Sequence, residues 1–420
     1  MQYILTVYLA IVTFIVWNKK KNRTSLNFIF CFFWTVICFF SLFRFFGLYK
    51  VPDKIYVYVS LGITSYLIGF ETIRFFTVRK KVTVTIKQGF HLSIWFYFFL
   101  YLAVGITVWR IALMIPYILH GGVSYARAML GSTDELNLPG KWNMLLGYFA
   151  LPYLRASVII FCVDMIYNRI TGSYILKIMI LTVLQFFAAG GRNVIVHTFI
   201  ALAYLLFTNL KKINYKLRRK LYCIMVIIVV MVILATLERR VNVIENIYMY
   251  YCGGLVYFAQ NLNTNYMFGI GYLYGINSFQ GFIQPIFGIL NLFGIEDPVY
   301  IQQATDFTMA VQTTVTSVSP QGRMNFFITC FGDFYRDGGV IGIIIESFIF
   351  GLICRYIEEK NISKCGSYLY LSEKIMLVQG ILFTMSRFQF SNYGYAMTMV
   401  FIYLILRKRD KRNIDFCLYH

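Results

Sequence analysis

Charged residues are scarce in this chain: they make up 14% of the sequence, hydrophobic residues make up 59%, and the mean hydropathy is +0.65. A water-soluble protein does not have enough polar surface to cover so many apolar side chains. Several apolar runs also approach the ~20 residues that a helix needs to cross a bilayer. The shortage of charge therefore excludes a soluble globular protein and predicts an integral membrane protein.

Acidic residues are especially few, with 18 of them against 39 basic residues and a net charge of +21. Many of the basic residues fall into four clusters beside apolar runs, at positions 19–23, 79–87, 211–220 and 407–412. Such clusters are typical of the cytoplasmic loops of membrane proteins and attract anionic lipid headgroups. The sequence contains no soluble basic domain with interleaved aromatic residues, so the charge does not indicate a nucleic-acid partner.

The short motifs of metal and nucleophile chemistry are also missing. The sequence has no HExxH, DxD or nucleophile-elbow motif, and its nine cysteines form no CxxC pair. We therefore expect no bound metal and no cofactor. Cys252 and Cys330 fall within a long loop, where the sequence is consistent with either a disulfide or two free thiols.

With the basic clusters on the cytoplasmic side, the sequence predicts an all-α polytopic protein of about eleven transmembrane helices. The predicted spans are residues 2–18, 27–48, 55–76, 89–110, 144–167, 172–190, 193–210, 220–237, 339–357, 373–389 and 391–407. The first basic cluster follows the first apolar run, which is the reverse of a cleavable signal peptide, so we expect an outside N-terminus. The C-terminus would be cytoplasmic, and residues 1–420 would form a single transmembrane domain.

Two segments interrupt the apolar runs on the outer side. The smaller extracytoplasmic loop is predicted at 111–143 and the larger one at 237–338, which has only four arginines against seven acidic residues. Within the larger loop, 248–265 has the pattern of an aromatic amphipathic segment on the membrane surface, and the frequent glycines of 269–294 predict irregular structure. Long ordered loops often carry function, so we expect the chemistry where this loop meets the helices.

Arginine is strongly preferred over lysine among the basic residues of the outer side. A guanidinium binds phosphate or carboxylate with two parallel hydrogen bonds, so this bias predicts recognition of an anion. Alternatively, these arginines reach lipid headgroups or pair with nearby acids. The candidate diphosphate-binding residues are Arg192, Arg323, Arg239, Arg240 and Arg336. Arg192 follows Gly190 and Gly191 at a tight turn and opens a new helix, whose N-terminus favours an anion.

Acidic residues at the two ends of the larger loop are candidate catalytic groups: Asp333, Asp337 and Glu238. A carboxylate there could act as general base on a sugar hydroxyl or could orient an arginine, and the sequence leaves both roles open. Arg155 and Glu346 lie within predicted spans. An ionisable group in a span needs a partner or a polar cavity, so these two could pair with each other.

Aromatic and amide side chains of the larger loop are candidate glycan-binding residues, namely Tyr250, Tyr251, Asn261 and Gln280. Aromatic faces stack on sugar rings, and amides match sugar hydroxyls as donors and acceptors. An aromatic belt at the membrane interface would give the same composition, so this interpretation also remains open.

These features together resemble the bacterial oligosaccharide repeat-unit polymerases, the Wzy-type polymerases of O-antigen and capsule. The resemblance rests on Gly190-Gly191-Arg192 between two spans, on the long outer loop, and on the sequence GDFYRDGGVIG at 332–342, which opens the next span. The usual family pattern is Tyr-x-Asp-Phe-Gly-x-x-Gly, and Gly338 stands here where phenylalanine is usual.

The resemblance implies a GT-C-like polymerase or ligase architecture and a metal-independent membrane glycosyltransferase without cofactor. The donor would be a growing glycan on undecaprenyl diphosphate, and the acceptor a lipid-linked repeat unit at the outer face of the cytoplasmic (inner) membrane. Membrane lipids and a chain-length regulator are further expected partners. An O-antigen ligase of lipopolysaccharide synthesis is a related alternative. A secondary transporter or lipid-linked sugar flippase is an alternative of another class, which predicts inverted repeats and discontinuous helices.

Overall fold

A computed structural model describes most of the chain, namely residues 1–20, 24–76, 92–130, 136–168, 172–191, 193–209, 215–237, 242–262, 264, 271–325, 327–363 and 367–415. Regular structure in these residues is helical apart from one hairpin of two short strands. The predicted all-α class is therefore confirmed for the described part of the chain.

The helices, in chain order, are α1 (Gln2–Lys20), α2 (Leu26–Phe43), α3 (Asp53–Phe76), α4 (Ile94–Leu130), α5 (Lys141–Leu145), α6 (Leu151–Asn168), α7 (Gly172–Ala189), α8 (Asn193–Asn209), α9 (Tyr215–Leu237), α10 (Val243–Asn261), α11 (Ile276–Asn291), α12 (Val299–Thr313), α13 (Thr329–Ser363), α14 (Tyr368–Leu382) and α15 (Tyr393–Asp415). Short 3-10 turns lie at Phe45–Gly47 and Gln389–Ser391, and a π-helical turn at Leu146–Ala150 joins α5 to α6. Strand β1 (Thr316–Ser317) pairs antiparallel with β2 (Arg323–Met324).

Several helices are suited to a membrane. Five segments among the described residues are long and apolar enough to cross one: Gln2–Lys19, Leu26–Phe43, Ile94–Gly122, Lys141–Met165 and Thr329–Ile362. Three shorter helices are also apolar, at Ser173–Ala189, Asn193–Thr208 and Tyr393–Arg407. This agrees with a multi-pass membrane protein, while the number of spans and their orientation stay predictions.

The chain divides into two compact units. The first comprises Met1–Lys81, Thr236–Ser363 and Leu377–Asn392, and the second comprises Val82–Ala235, Lys364–Met376 and Tyr393–His420. The residues of the candidate site described below all belong to the first unit. The single-domain organisation stays a prediction.

The core of the first unit is the contact between α3 and α13, where two helix backbones come very close. A Cβ atom on Gly69 would overlap the carbonyl oxygen of Phe348, and one on Gly351 would overlap that of Tyr66. Small residues allow such close approach between helices in a membrane, where dispersion contacts rather than apolar burial drive association. Helix α13 of this tightly packed pair carries several residues of the candidate site.

Within the second unit, several cations lie against aromatic rings, and Arg155 and Lys177 are two examples. The guanidinium of Arg155 lies 5.3 Å from the ring centroid of Tyr395. The ammonium of Lys177 is within 5.4–5.9 Å of three rings, those of Tyr97, Phe161 and Tyr174. Cation–π contacts of this kind stabilise a positive charge beside the face of an aromatic ring.

Helix α4 extends well beyond the span predicted at 89–110. It continues to Leu130, contains Pro116, and breaks at Gly122, which has φ 78° and ψ 177°. The first part of the segment predicted as the smaller loop, 111–143, is therefore helical. The apolar pattern alone did not indicate this, because the helix passes through a proline and a glycine before it ends.

The prediction of irregular structure for 269–294 is wrong, because residues 276–291 form α11. Gly281, within this helix, serves close packing. A Cβ atom on Gly281 would lie 2.5 Å from the carbonyl oxygen of Phe390 and 2.6 Å from that of Asn392. Gly281 thus lets α11 approach the backbone of the segment that follows α14.

Candidate functional site

The segment GDFYRDGGVIG forms a sharp corner within α13. Gly339 adopts φ 62° and ψ −142°, a left-handed conformation that L-residues with side chains rarely adopt, and it interrupts the helix. Just past the break, a Cβ atom on Gly342 would overlap the carbonyl oxygen of Phe334. The corner separates a short arm, 329–337, from a long arm, 340–363, and keeps the two backbones in contact.

Both aspartates of the short arm are buried in helical turns, not at a loop end as the sequence predicted. Asp333 has no exposed surface and Asp337 is 1% exposed. The sequence set the span's start at 339 because the charges of 332–338 lower its hydropathy. The helix begins ten residues earlier, at Thr329, because these charged groups find partners inside the protein.

Asp337 caps the N-terminus of α11. Its Oδ1 accepts a hydrogen bond from the backbone N–H of Asn277 at 3.0 Å, and its Oδ2 accepts one from that of Ser278 at 2.8 Å. Gly275, at the N-cap position, has no side chain for this role and adopts φ 89°. A carboxylate from another helix therefore satisfies the first N–H groups and complements the helix dipole.

Asp333 forms a buried ion pair with Arg387, which lies in the segment between α14 and α15. Arg387 Nη2 and Nε lie 2.9 and 3.1 Å from Asp333 Oδ1, and the backbone N–H of Phe388 donates to Oδ2 at 2.7 Å. Arg387 also donates to Asn277 Oδ1 and to Thr308 Oγ1, each at 3.2 Å. The guanidinium is thus bonded through all three nitrogens, and the pair joins α11, α12 and α13.

A second buried guanidinium, that of Arg336, lies beside this network. Its Nη1 donates to the backbone carbonyl of Gly271, whereas its buried Nε has no hydrogen-bond partner among the described residues. The Arg336 and Arg387 guanidiniums lie 5.5 and 5.8 Å from the ring centroid of Phe307, and Arg336 also interacts electrostatically with Asp337. Of the two arginines, Arg336 has donor capacity left for a ligand.

A third carboxyl group, that of Glu346, projects from the long arm toward the start of α11. Ser278 Oγ donates to Glu346 Oε2 at 2.5 Å, and Glu346 interacts electrostatically with Asp337. The sequence left open whether Glu346 would pair with Arg155 or line a polar site. Its hydrogen bond to Ser278 brings it into the same buried cluster as the two aspartates.

Two of the predicted glycan-binding residues, Gln280 and Asn261, have partners within the protein. Gln280 is 2% exposed, donates to Thr305 Oγ1 at 3.0 Å and accepts from Thr308 Oγ1 at 2.9 Å, so it fixes α11 to α12. Asn261 is also 2% exposed and donates to Thr316 Oγ1 at 3.2 Å. Their role in sugar binding stays a prediction, and the structure gives both amides a structural role.

The two predicted tyrosines lie on α10 rather than in the buried cluster. Tyr250 is partly buried and its ring lies 5.1 Å from that of Phe327. Tyr251 is 39% exposed and its ring lies 5.9 Å from that of Phe33 on α2. The four candidate glycan residues are therefore not all brought together.

The remaining predicted residues fall elsewhere. Arg323 is exposed in β2, opposite Ser317. Arg192, Arg239, Arg240 and Glu238 lie outside the described residues. The tight turn before Arg192 is present, since α7 ends at Ala189, α8 begins at Asn193, and Gly190 has φ 58°.

Sequence reasoning missed the central role of Arg387, Asn277 and Ser278. Arg387 is the lone charge of its apolar surroundings, FTMSRFQF. An isolated charge in such a context needs a partner, which was the available signal. Nothing in the sequence near Asn277 pointed to the cluster.

Within the described part of the chain, no group of three or more His, Cys, Asp or Glu side chains has an arrangement that could hold a metal ion. Cys252 and Cys330 are free, buried thiols. No protein-family model, no curated protein and no solved structure matches this chain.

The charged and ionisable groups of this cluster are held in fixed positions and are almost fully shielded from solvent. It contains two guanidiniums and three carboxyl groups, all at most 7% exposed. Asp333 and Arg387 neutralise each other and have few free donors or acceptors. Asp337 accepts one backbone hydrogen bond on each oxygen and also interacts with the side chains of Ser278 and Glu346. Arg336 keeps capacity for a further partner, because its Nε has no hydrogen-bond partner among the described residues.

Proposed function

We propose that this protein polymerises lipid-linked oligosaccharide repeat units into a surface polysaccharide, either O-antigen or capsule. It would act as a metal-independent membrane glycosyltransferase. In the reaction, the acceptor hydroxyl oxygen bonds to the anomeric carbon of the donor glycan as the bond from that carbon to the diphosphate oxygen breaks. The hydroxyl proton passes to a base, and undecaprenyl diphosphate leaves.

The observation that carries this proposal is the corner at 332–342. The motif that resembles the polymerase family folds into a turn whose glycines bring two acids, Asp333 and Asp337, and Arg336 together with Arg387. A charged cluster enclosed by apolar helices is suited to a reaction in which a charged group separates from a lipid-linked sugar. Low local polarity strengthens such electrostatic stabilisation.

Arg336 is the described residue best suited to the departing diphosphate. It is fixed by the Gly271 carbonyl and the Phe307 ring, and its Nε is free of hydrogen bonds to described residues. A held donor stabilises developing negative charge without reorganising. Arg192, Arg323, Arg239 and Arg240 remain proposed as further diphosphate contacts.

Asp337 is the better candidate for the general base. Asp333 accepts hydrogen bonds from Arg387, Asn277 and the N–H of Phe388, and these leave little capacity for a sugar hydroxyl. Asp337 accepts two backbone hydrogen bonds and also interacts with the side chains of Ser278 and Glu346, but it is not the carboxylate that is bonded to Arg387. We assign Asp333 to positioning Arg387, and Asp337 to proton transfer.

The finer architecture belongs to the same proposal. It includes about eleven spans with a GT-C-like arrangement, an outside N-terminus, a cytoplasmic C-terminus and an extracytoplasmic 237–338 segment. Support comes from the basic clusters beside apolar runs and from the complete absence of lysine and arginine between 241 and 322.

Deletion of the gene in its host tests the proposal. A polymerase deletion should leave surface glycan of a single repeat unit in place of a ladder on a gel, and the wild-type gene should restore the ladder. Among complementing variants, Arg336→Gln should fail at normal protein level, because it lacks the positive charge that meets the diphosphate. A ladder unchanged by the deletion would contradict the proposal.

A transporter or flippase of lipid-linked sugars is the second candidate, because α13 is broken at Gly339 next to buried ionisable groups. Discontinuous helices with such groups are typical of secondary transporters. The two functions differ in where the lipid-linked repeat unit accumulates after gene deletion. It would collect on the outer leaflet without a polymerase and on the cytoplasmic leaflet without a flippase.

A further inference from the structure

Helix α10 is the first helix of the segment predicted as the larger loop, and the sequence indicated that it lies flat on the membrane surface. The contacts of α10 do not fit a helix that lies flat on the membrane. They run along α2, whose 18 residues, Leu26–Phe43, form one of the candidate membrane spans. At ~1.5 Å per residue this helix is ~27 Å long, close to the ~30 Å thickness of the apolar core of a bilayer.

Contacts of three α10 residues establish the register between the helices. The Tyr248 hydroxyl donates to the carbonyl of Phe40 and accepts from the N–H of Phe45, both at 3.1 Å. One turn further along α10, the Cys252 thiol lies 3.8 Å from the carbonyl of Ile37. The Tyr251 ring meets that of Phe33. As α10 proceeds from 248 to 252, its partners on α2 therefore move from the end of the span toward its middle.

The end of α2 carries the residues of a membrane interface. Phe43, Phe45 and Phe46 are 52%, 47% and 42% exposed, and the rings of Phe45 and Phe46 both lie 5.7 Å from that of Tyr248. Exposed Arg44 and Lys50 flank these rings. Aromatic rings beside basic groups are typical of the headgroup region, which marks the depth at which α10 begins.

The exposed face of α10 is also apolar, from its start near the end of α2 to the turn that contacts the middle of α2. Ile244, Ile247 and Tyr251 are 71%, 53% and 39% exposed and share one side of the helix, at spacings of three, four and seven residues. Glu245 and Asn246, the polar residues of this turn, lie at the end nearest the interface, and no lysine or arginine follows until Arg323. Phe40 of α2, 43% exposed, continues the apolar face.

We infer that α10 enters the bilayer alongside α2, with Ile244 near the headgroups and Tyr251 against the acyl chains of phospholipid. The occupant of its exposed face is membrane lipid, because that face is continuous with the exposed face of a candidate span. Tyr251 then contacts lipid rather than sugar. The inference goes beyond the proposed activity and holds whether or not the chain is a polymerase.

Spin labels at graded positions along α10 test this. Full-length protein, with Cys223, Cys365 and Cys417 replaced by serine, would carry one added cysteine in each of Ile244→Cys, Ile247→Cys and Tyr251→Cys. The variants would be reconstituted in vesicles of phosphatidylethanolamine and phosphatidylglycerol. Asp306→Cys on α12 is the matched control, since this exposed carboxylate is expected in water. The protein without an added cysteine gives the background signal.

We expect collisions with a water-soluble nickel chelate to be frequent at 306, to fall at 244 and 247, and to be almost lost at 251. Collisions with oxygen should rise in the same order. Labels at all three α10 positions as accessible to nickel as the control would overturn the inference. Equal protection at all three would also overturn it, because that result describes a helix lying flat on the surface. If Tyr251→Cys does not fold, the difference between 244 and 247, both more exposed, decides the question.

Discussion

Arginine occurs in two contrasting settings in the first unit. Arg387 is 3% exposed and bonded through all its nitrogens to Asp333, Asn277 and Thr308. Arg323 is exposed in a two-residue strand. The same sequence bias predicted anion recognition for outer arginines in general. The comparison teaches that the forked guanidinium also serves internal carboxylates, so a bias toward arginine does not by itself indicate ligand binding.

Arg336 is intermediate between these settings. It is as buried as Arg387, yet its Nε has no partner among the described residues. A buried charge with unused donor capacity is costly unless something binds it. Arg336, rather than Arg387 or Arg323, is therefore the arginine that we propose for ligand binding.

Among substitutions that test the contrast between buried and exposed arginines, the largest loss of stability is expected at the buried ion pair. Arg387→Ala leaves the Asp333 carboxylate buried without its cation, which should cost ~3–5 kcal/mol of stability. Thermal unfolding of detergent-purified protein measures it. The paired replacement Asp333→Asn with Arg387→Gln should cost less than the two single changes added together, since the partners are coupled. If Arg387→Ala unfolded at the wild-type temperature, the buried arginine would contribute no more to stability than an exposed one, which would contradict the prediction.

A smaller loss is expected at the corner that brings the acids and Arg336 together. Gly339→Ala should destabilise by about 1–3 kcal/mol, because Gly339 has φ 62° and an added Cβ would lie 2.8 Å from the Tyr272 hydroxyl. Gly338→Ala is the matched control, since φ there is −164° and a Cβ would meet nothing within 4 Å. Equal unfolding temperatures for the two variants would show that the corner does not depend on the left-handed residue.

The smallest effect on stability is expected at Arg323. Arg323→Ala should change the free energy of unfolding by less than ~0.5 kcal/mol, because the side chain is exposed. If Arg323 contacts the diphosphate, the glycan ladder should nevertheless shorten or disappear. Arg323→Lys, which keeps the charge but not the fork, should restore it only in part. A normal ladder from Arg323→Ala would leave this arginine as a solvated surface cation.

The all-α class and the apolar helices followed from the sequence, because helices in a membrane are recognised by the length and apolarity of one continuous segment. The sequence also singled out Asp333, Asp337 and Arg336, and these do fall within one cluster. It could not assign their partners. Arg387 and Asn277 are 110 positions apart, and neither is marked by a local pattern that refers to the other.

The glycine-rich segment is a second case in which a distant contact, absent from the local sequence pattern, decided the structure. Frequent glycines predicted irregular structure at 269–294, yet α11 forms there because Gly281 packs against carbonyl oxygens from the distant 390–392 segment. Local propensity is a weak preference, and a close tertiary contact outweighs it.

The sequence by itself determined that this protein is an apolar, helical chain with basic clusters beside its hydrophobic runs, because hydrophobicity adds up along a segment. Only the tertiary structure decided which arginine neutralises which acid, which carboxylate caps α11, and which buried donor has no partner among the described residues. Those choices depend on contacts of about 3 Å between side chains far apart in the chain, and a hydrogen bond exists only where packing brings its two atoms to that distance.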